Sequence, residues 1–390
     1  MTRTTDFGLQ YGAKFSKQLD TTPADLYGGA NSQVPGANDL MKFDELKLTD
    51  TPEQFQDVST NGTQFETGQL VSATPVQFQG TIKAYTHGIE RLLVSALGYE
   101  RLDGPVENAG KFCRLICLAP NGKDQRTYTA AEAALVVGYD ADDRINTYLN
   151  FAVTKGPSDE LAKNGSIKSF TIKAESKGPL MLEIAGSAER LTRDATKAAS
   201  AALTLASGTQ QSYYMLRDFR DPSTGASLIK MGPAGSMTAL SALSMSVSVE
   251  LGQADGQYPT GTSNGGLSQA EPVATGPSTI TVEIKRYLQN NDTFKTWEQV
   301  GTEVAFSAEA AKGDDGLAIC VQRLQVTAVE LDEADGGSIT ITAKGYLPTA
   351  TSEAFTAIRT FNSAIIDLPF NTGMFLKVVS PNAVNQLRSV

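Results

Sequence analysis

Histidine, cysteine, tryptophan and long apolar runs are all scarce in this chain, and each shortage removes a class of function. There is one histidine, His87, in 390 residues. A Ser-His-Asp hydrolase would have to use it, yet no G-x-S-x-G elbow accompanies it. It reads as a polar residue at a helix start. Three cysteines, Cys113, Cys117 and Cys320, form no even disulfide framework. Cys113 and Cys117 lie in the apolar run FCRLICL, where core packing explains them better than a metal. No stretch reaches the roughly 18 to 20 apolar residues of a membrane span. The first residues, MTRTTDFGLQYGAKF, lack the apolar segment of a secretory signal, so synthesis in a reducing cytoplasm is expected. With 33 basic against 43 acidic residues, the net charge of −10 argues against a protein that grips nucleic acid through its phosphates. It does not exclude one past which nucleic acid slides.

Motif chemistry is equally sparse. No G-x-x-x-x-G-K-[ST] and no H-E-x-x-H occurs. GASLIKMGPAGS (225–236) carries glycines but no dinucleotide fingerprint, and it reads as a connector. Two acidic stretches raise the question of calcium. In LDEADGGS, Asp332, Asp335 and Gly336 lack the alternating oxygen ligands and the twelfth-position glutamate of an EF-hand. A hairpin turn, with Asp-Gly at positive φ, is the better reading. Asp140, Asp142 and Asp143 in GYDADDRIN read as a solvated turn. No catalytic, cofactor-binding or metal-ligating residue is nominated, and no cofactor is expected.

What the chain does have is alternation. With 41% apolar residues it can fill a core, and its length points to two units. TPVQFQGTIKAYT reads as a strand, with Val76, Phe78 and Ile82 on one face. HGIERLLVSALG follows as a short amphipathic helix (88–98), with Ile89, Leu92, Leu93 and Leu97 on one side and Gly98 as its stop. IKSFTIKAES and PLMLEIAGSAERL are two more strands. Later the same order returns. SALSMSVSVELG and STITVEIKRYL alternate as strands. NNDTFKTWEQVGTEVAF reads as a helix over 293–304, with Asp292 as N-cap and Phe294, Trp297 and Val300 as its apolar stripe. CVQRLQVTAVELDEADGGSITITAKGYLP gives two strands around the acidic turn. Overlaying the sets places Phe170 and Ile172 over Leu324 and Val326, and the glycine of LEIAGSA over that of ITAKGYL. The shared strand–helix–strand–strand order predicts a duplication.

The expected architecture is mainly β: two sandwich or barrel domains, each with a short flanking helix. The divisions are an N-terminal arm (1–45), a first domain (46–195), a linker (196–238), a second domain (239–348) and a C-terminal arm (349–390). The polar, glycine-rich loop 253–278 is expected to form an extended hairpin with a mobile tip.

The segment 279–348, with VQFQGTIKAYTHGIERLLVSALG near the start, resembles the tail tube proteins of long-tailed bacteriophages, over about half the chain. The match is one of pattern. It implies domains of the tail-tube type that pair by sheet edges into rings, here three duplicated chains closing a pseudo-hexamer. The rings stack into a hollow virion tube around a tape-measure protein, capped by terminator and distal tail proteins. DNA passes through the lumen without specific binding. An acidic lumen would repel its phosphates. Two other readings remain compatible with the sequence: a distal tail or baseplate hub protein on the same fold, and a two-domain β-sandwich that binds or processes carbohydrate. The aromatic content of 7%, with one tryptophan, disfavours the latter.

Overall fold

The computed structural model describes residues 10–15, 35, 39–50, 54–57, 68–71, 76–86, 88–105, 112–118, 148–154, 159–188, 190–193, 203, 212–233, 235–258, 268–288, 293–332, 337–346 and 372–380. It is mainly β, with two short helices and one large antiparallel sheet system. The first part of the chain gives β1 (Gln10–Phe15), β2 (Leu40–Met41), β3 (Phe43–Asp50), β4 (Gln54–Asp57), β5 (Gly68–Val71) and β6 (Val76–Lys83). Helix α1 (Glu90–Leu97), β7 (Gly98–Pro105), β8 (Phe112–Leu118), β9 (Leu149–Thr154), β10 (Glu160–Glu175), β11 (Met181–Ala188) and β12 (Arg190–Arg193) follow. The second part gives β13 (Ile229–Gly232), β14 (Thr238–Ala239), β15 (Ala242–Glu250), β16 (Gln253–Tyr258), β17 (Ser268–Ala274) and β18 (Thr279–Tyr287). It ends with α2 (Thr293–Val300), β19 (Glu303–Lys312), β20 (Asp315–Asp332), β21 (Ser338–Gly345) and β22 (Met374–Ser380).

The strand pairings repeat. β1 pairs with β2 and β9 as β13 pairs with β14 and β19. β10 pairs with β9, β11 and β12 as β20 pairs with β19, β21 and β22. β6 lies between β3 and β11 as β18 lies between β15 and β21. Each half carries a separate two-stranded hairpin at the same point in the order, β4–β5 and β16–β17. Among the described strands, only β7 and β8 have no counterpart; they are inserted between α1 and β9.

β10 and β20 each serve two layers. Their C-terminal parts belong to one continuous sheet in the order β3-β6-β11-β10-β15-β18-β21-β20. Their N-terminal parts belong to a second layer that covers it. The core lies between the layers, with Phe78, Phe170, Ile172, Val247, Ile284 and Phe306 among its buried side chains. Alternation explains the first sheet: Phe170, Ile172 and Ala174 are buried while Thr171 and Lys173 reach the other face. β8, β9 and β22 are instead buried on both faces, which fits their mostly apolar sequences, interrupted by the buried Arg114, Asn150 and Lys377.

The glycines that match in sequence hold matching places. Gly186 stands opposite Phe78, and Gly345 stands opposite Ile280. A Cβ on Gly186 would lie 2.0 Å from the Ser166 carbonyl oxygen and 2.6 Å from the Phe78 ring. One on Gly345 would lie 2.7 Å from the Ile280 side chain. Fixing the halves on these glycines makes Phe170 the counterpart of Val326 and Ile172 that of Val329, since their partners are Ile184 and Leu182 in one half and Ala343 and Ile341 in the other. The sequence overlay is therefore displaced along the strand, though it keeps the correct face.

Other expectations need correction. The helix read over 293–304 stops at Val300, because Gly301 turns left-handed at φ 69° and Glu303 begins β19. Phe294 and Trp297 pack edge to face at 5.1 Å, but Val300 is 72% exposed. Two steps of three residues carry it about 120° round the helix from Phe294. Asp292 lies outside the described residues. Within the proposed linker, Ile229–Gly232 is a core strand, and the supposed C-terminal arm contains β22, held between β20 and β8. The N-terminal arm likewise contributes β1, paired along its length with β9. Short strands in glycine-rich or isolated contexts give little periodic signal. Helix α1, by contrast, ends at Gly98 (φ 84°), whose N–H bonds the Val94 carbonyl as expected.

Substituting Gly186→Ala is expected to cost about 3 kcal/mol or more, because the Ser166 carbonyl must move, and Gly345→Ala less, about 2 kcal/mol, since the Ile280 Cβ it meets is tied to the backbone but lies farther away. Urea denaturation of both variants checks the order.

Candidate functional site: a strand seam and two open edges

The structure bears differently on each residue weighed for chemistry. His87, Asp140, Asp142, Asp143, Asp335 and Gly336 lie outside the described residues. Asp332 pairs with Ser338 at the end of the β20–β21 ladder, and its carboxylate receives the Lys285 ammonium at 3.2 Å; the intervening 333–336 lie outside the described residues. Cys113, Cys117 and Cys320 are free and buried. Cys117 and Cys320 flank Phe375 from the two strands beside it. Burial pushes the Cys320 thiol well above its ordinary value, which suits a core group and not a nucleophile. Among the described residues, no group of three His, Cys, Asp or Glu side chains is placed to hold a metal ion.

One buried polar cluster went unnoticed in the sequence. Arg114 on β8 lies between Glu100 on β7, which its Nε bonds, and Glu90 on α1, 3.7 Å from its Nη1. All three side chains are fully buried. This cluster ties the inserted pair of strands to the helix they cover. In the sequence it hides inside FCRLICL, where a lone arginine among apolar residues is the only sign.

The feature with functional content is how the two halves join. β10 and β15 pair antiparallel, with Thr171 opposite Ser248, Ile172 opposite Val247 and Lys173 opposite Ser246. The Thr171 and Ser248 hydroxyls are 3.0 Å apart. β10 is the last strand of the first four and β15 is the first strand of the second four. The seam therefore joins unlike edges of like units. The outer edges that remain are again one of each kind: β3, the counterpart of β15, and β20, the counterpart of β10. Among the described residues, β3 pairs only with β6, and the C-terminal part of β20 pairs only with β21.

Exposure at the open edge differs from that at the seam. Ile172 and Ala174 on β10 are 2% and 1% exposed beneath the seam. Their counterparts on β20 are Val329, only partly buried, and Leu331, 53% exposed. Both project toward the core side, so an added strand would cover them as β15 covers β10.

The opposite face of this sheet carries hydroxyls and mixed charge. Lys173 pairs with Glu183, Lys285 with Asp332, and Lys83 with Asp44 at 2.9 Å. Because the strands alternate in direction, β3 and β15 run the same way, so both two-stranded hairpins leave from the same end of the sheet. The β16–β17 hairpin realises the extended hairpin expected over 253–278. Its tip, 259–267, lies outside the described residues.

No protein-family model matches the chain, and no curated protein matches its sequence.

Two measurements probe the buried charges. Removing the cation with Arg114→Met should cost about 3–5 kcal/mol, since two carboxylates stay buried without it; thermal and urea unfolding report it. Lys168, the bulged residue beside the seam, has its pKa lowered to about 8 by burial, from an ordinary 10.5. Its charge therefore disfavours the folded state in full below pH 8. The penalty fades as pH rises toward 10.5, because the folded chain loses the proton first. Stability of the native protein, relative to Lys168→Met, should rise between pH 8 and 10.

Proposed function

We propose that this chain is a structural protein of a bacteriophage tail tube, polymerising through its two open sheet edges. The observation that carries the reading is the internal seam. A junction that pairs the last strand of one unit with the first strand of the next leaves the same two edges free, so it can be repeated indefinitely. Such head-to-tail contacts close into rings or run into filaments. Edge strands left exposed are otherwise a hazard that soluble proteins suppress. Here β20 keeps Val329 and Leu331 uncovered where the seam buries their counterparts.

The resemblance to tail tube proteins supplies the geometry: rings of three chains, six units, stacked into a hollow conduit. The continuous sheet forms the lumen wall. Its outward face pairs lysines with carboxylates among serine and threonine hydroxyls, so passing DNA finds little unneutralised positive charge to hold its phosphates. The second layer and the helices form the outer wall. The two hairpins at one end of the sheet reach the adjacent ring. In this role the protein acts in the virion tail after synthesis in the host cytoplasm. Its partners are itself, a tape-measure protein, a tail terminator and a distal tail protein. The role calls for no cofactor and no membrane.

Negative-stain microscopy of the purified chain should show hollow stacked rings. Deleting 253–275 should leave single rings but abolish stacking; normal tubes from that variant would exclude the bridging role of the hairpin. Monodisperse monomers at all concentrations would exclude the tube.

A further inference from the structure

The seam inside the chain and the seam between chains are built on the same backbone but not the same charges. Positions follow from the glycine-fixed correspondence of the halves. Lys173 pairs with Met181, which pairs with Lys83; Glu330 pairs with Thr340, which pairs with Lys285. Glu330 therefore stands where Lys173 stands. Ser246 pairs with Glu283, and Glu45 pairs with Thr81, so Glu45 stands where Ser246 stands. Inside the chain, Lys173 faces Ser246. Between chains, the same register puts Ala328 opposite Lys47, Val329 opposite Leu46, and Glu330 opposite Glu45. Both glutamates are exposed in the single chain.

We infer that the Glu45–Glu330 pair is an electrostatic brake on ring closure, which makes the seam between chains weaker than the seam within one. This rests on the edge-pairing reading above. Like charges directly opposite on paired strands repel. The nearest cations do not remove the repulsion. Lys83 is engaged by Asp44 at 2.9 Å, and Lys285 by Asp332 at 3.2 Å. Lys47 stands two residues along β3 on the same face, diagonal to Glu330, and offsets part of the charge. The device has a use. A chain whose two edges attract each other fully would polymerise wherever it is made. A seam that is marginal for one pair of chains, yet sufficient once a ring closes and further contacts add, confines assembly to the closed form.

The test is a charge swap, read as the concentration at which rings appear by mass photometry. Glu330→Lys and Glu45→Lys should each lower it, on the order of fivefold, and the wild type should gain from added salt while these variants lose. The double variant restores like charge and should return to wild-type behaviour. Single variants without effect, or a double variant that assembles as readily as either single one, would overturn the brake. Circular dichroism of the unassembled chains confirms that each variant is folded. An Ala328→Cys/Lys47→Cys chain separates the two ideas: a short bis-maleimide should join neighbouring chains. Crosslinking without charge effects removes the brake and leaves the edge pairing standing. No crosslink removes both.

Discussion

Backbone hydrogen bonds between β10 and β15 are the contact on which the rest of this molecule depends. They turn two four-stranded units into one sheet, and they do so by joining the last strand of one to the first strand of the other. A junction between identical edges would have used up its own valence and left a closed pair. This one leaves the molecule with the same two unlike ends that each unit had. Every larger-scale property argued above, including repetition and a continuous wall with a single hydroxyl-rich face, follows from that asymmetry.

Much of this was legible in the sequence, and the reason is periodicity. Strands such as Val76–Lys83, Thr279–Tyr287 and Ser338–Gly345 alternate strictly because one side meets the core and the other meets water. Gly98 announced the end of α1 because a left-handed cap favours glycine. The register of the repeat was less accessible. A period of two fixes which face a residue takes but not how far along the strand it lies, so Phe170 could be set over Leu324 when its place is that of Val326. Each of β10 and β20 also carries a bulge, at different positions, that shifts the count by one residue. Strands buried on both sides, β8 and β22, show no alternation at all. Short pieces such as Ile229–Gly232 owe their extended form to neighbours, which no local pattern records. The open edges were invisible for the same reason, since being an edge is a property of what is absent beside a strand.

The halves are alike in topology and unlike in finish. In the first, β7 and β8 cover α1, which is buried over nearly its whole length, and the Glu90–Arg114–Glu100 cluster holds that cover in place. In the second, α2 buries only Phe294 and Trp297 against the sheet. A duplicated chain is free to vary one copy while the other keeps the shared geometry, so a ring of such chains repeats at twice the interval of its units. In the ring proposed above, contacts on the outer wall would be threefold while the sheet inside stays close to sixfold.

β22 also has a consequence for how the chain is made. Its side chains are buried, and it fills the gap between β20 and β8, with the Thr372 hydroxyl donating to the Leu118 carbonyl across 254 residues of sequence. During synthesis β8 emerges early and waits for almost two thirds of the chain before its neighbour exists. Until then the covering layer is split and β8 presents a bare, apolar edge, which makes folding slow and its intermediates prone to mispairing. β22 is thus a late-arriving latch on the sandwich, and a nascent or cleaved chain without it would be the form most in need of a chaperone.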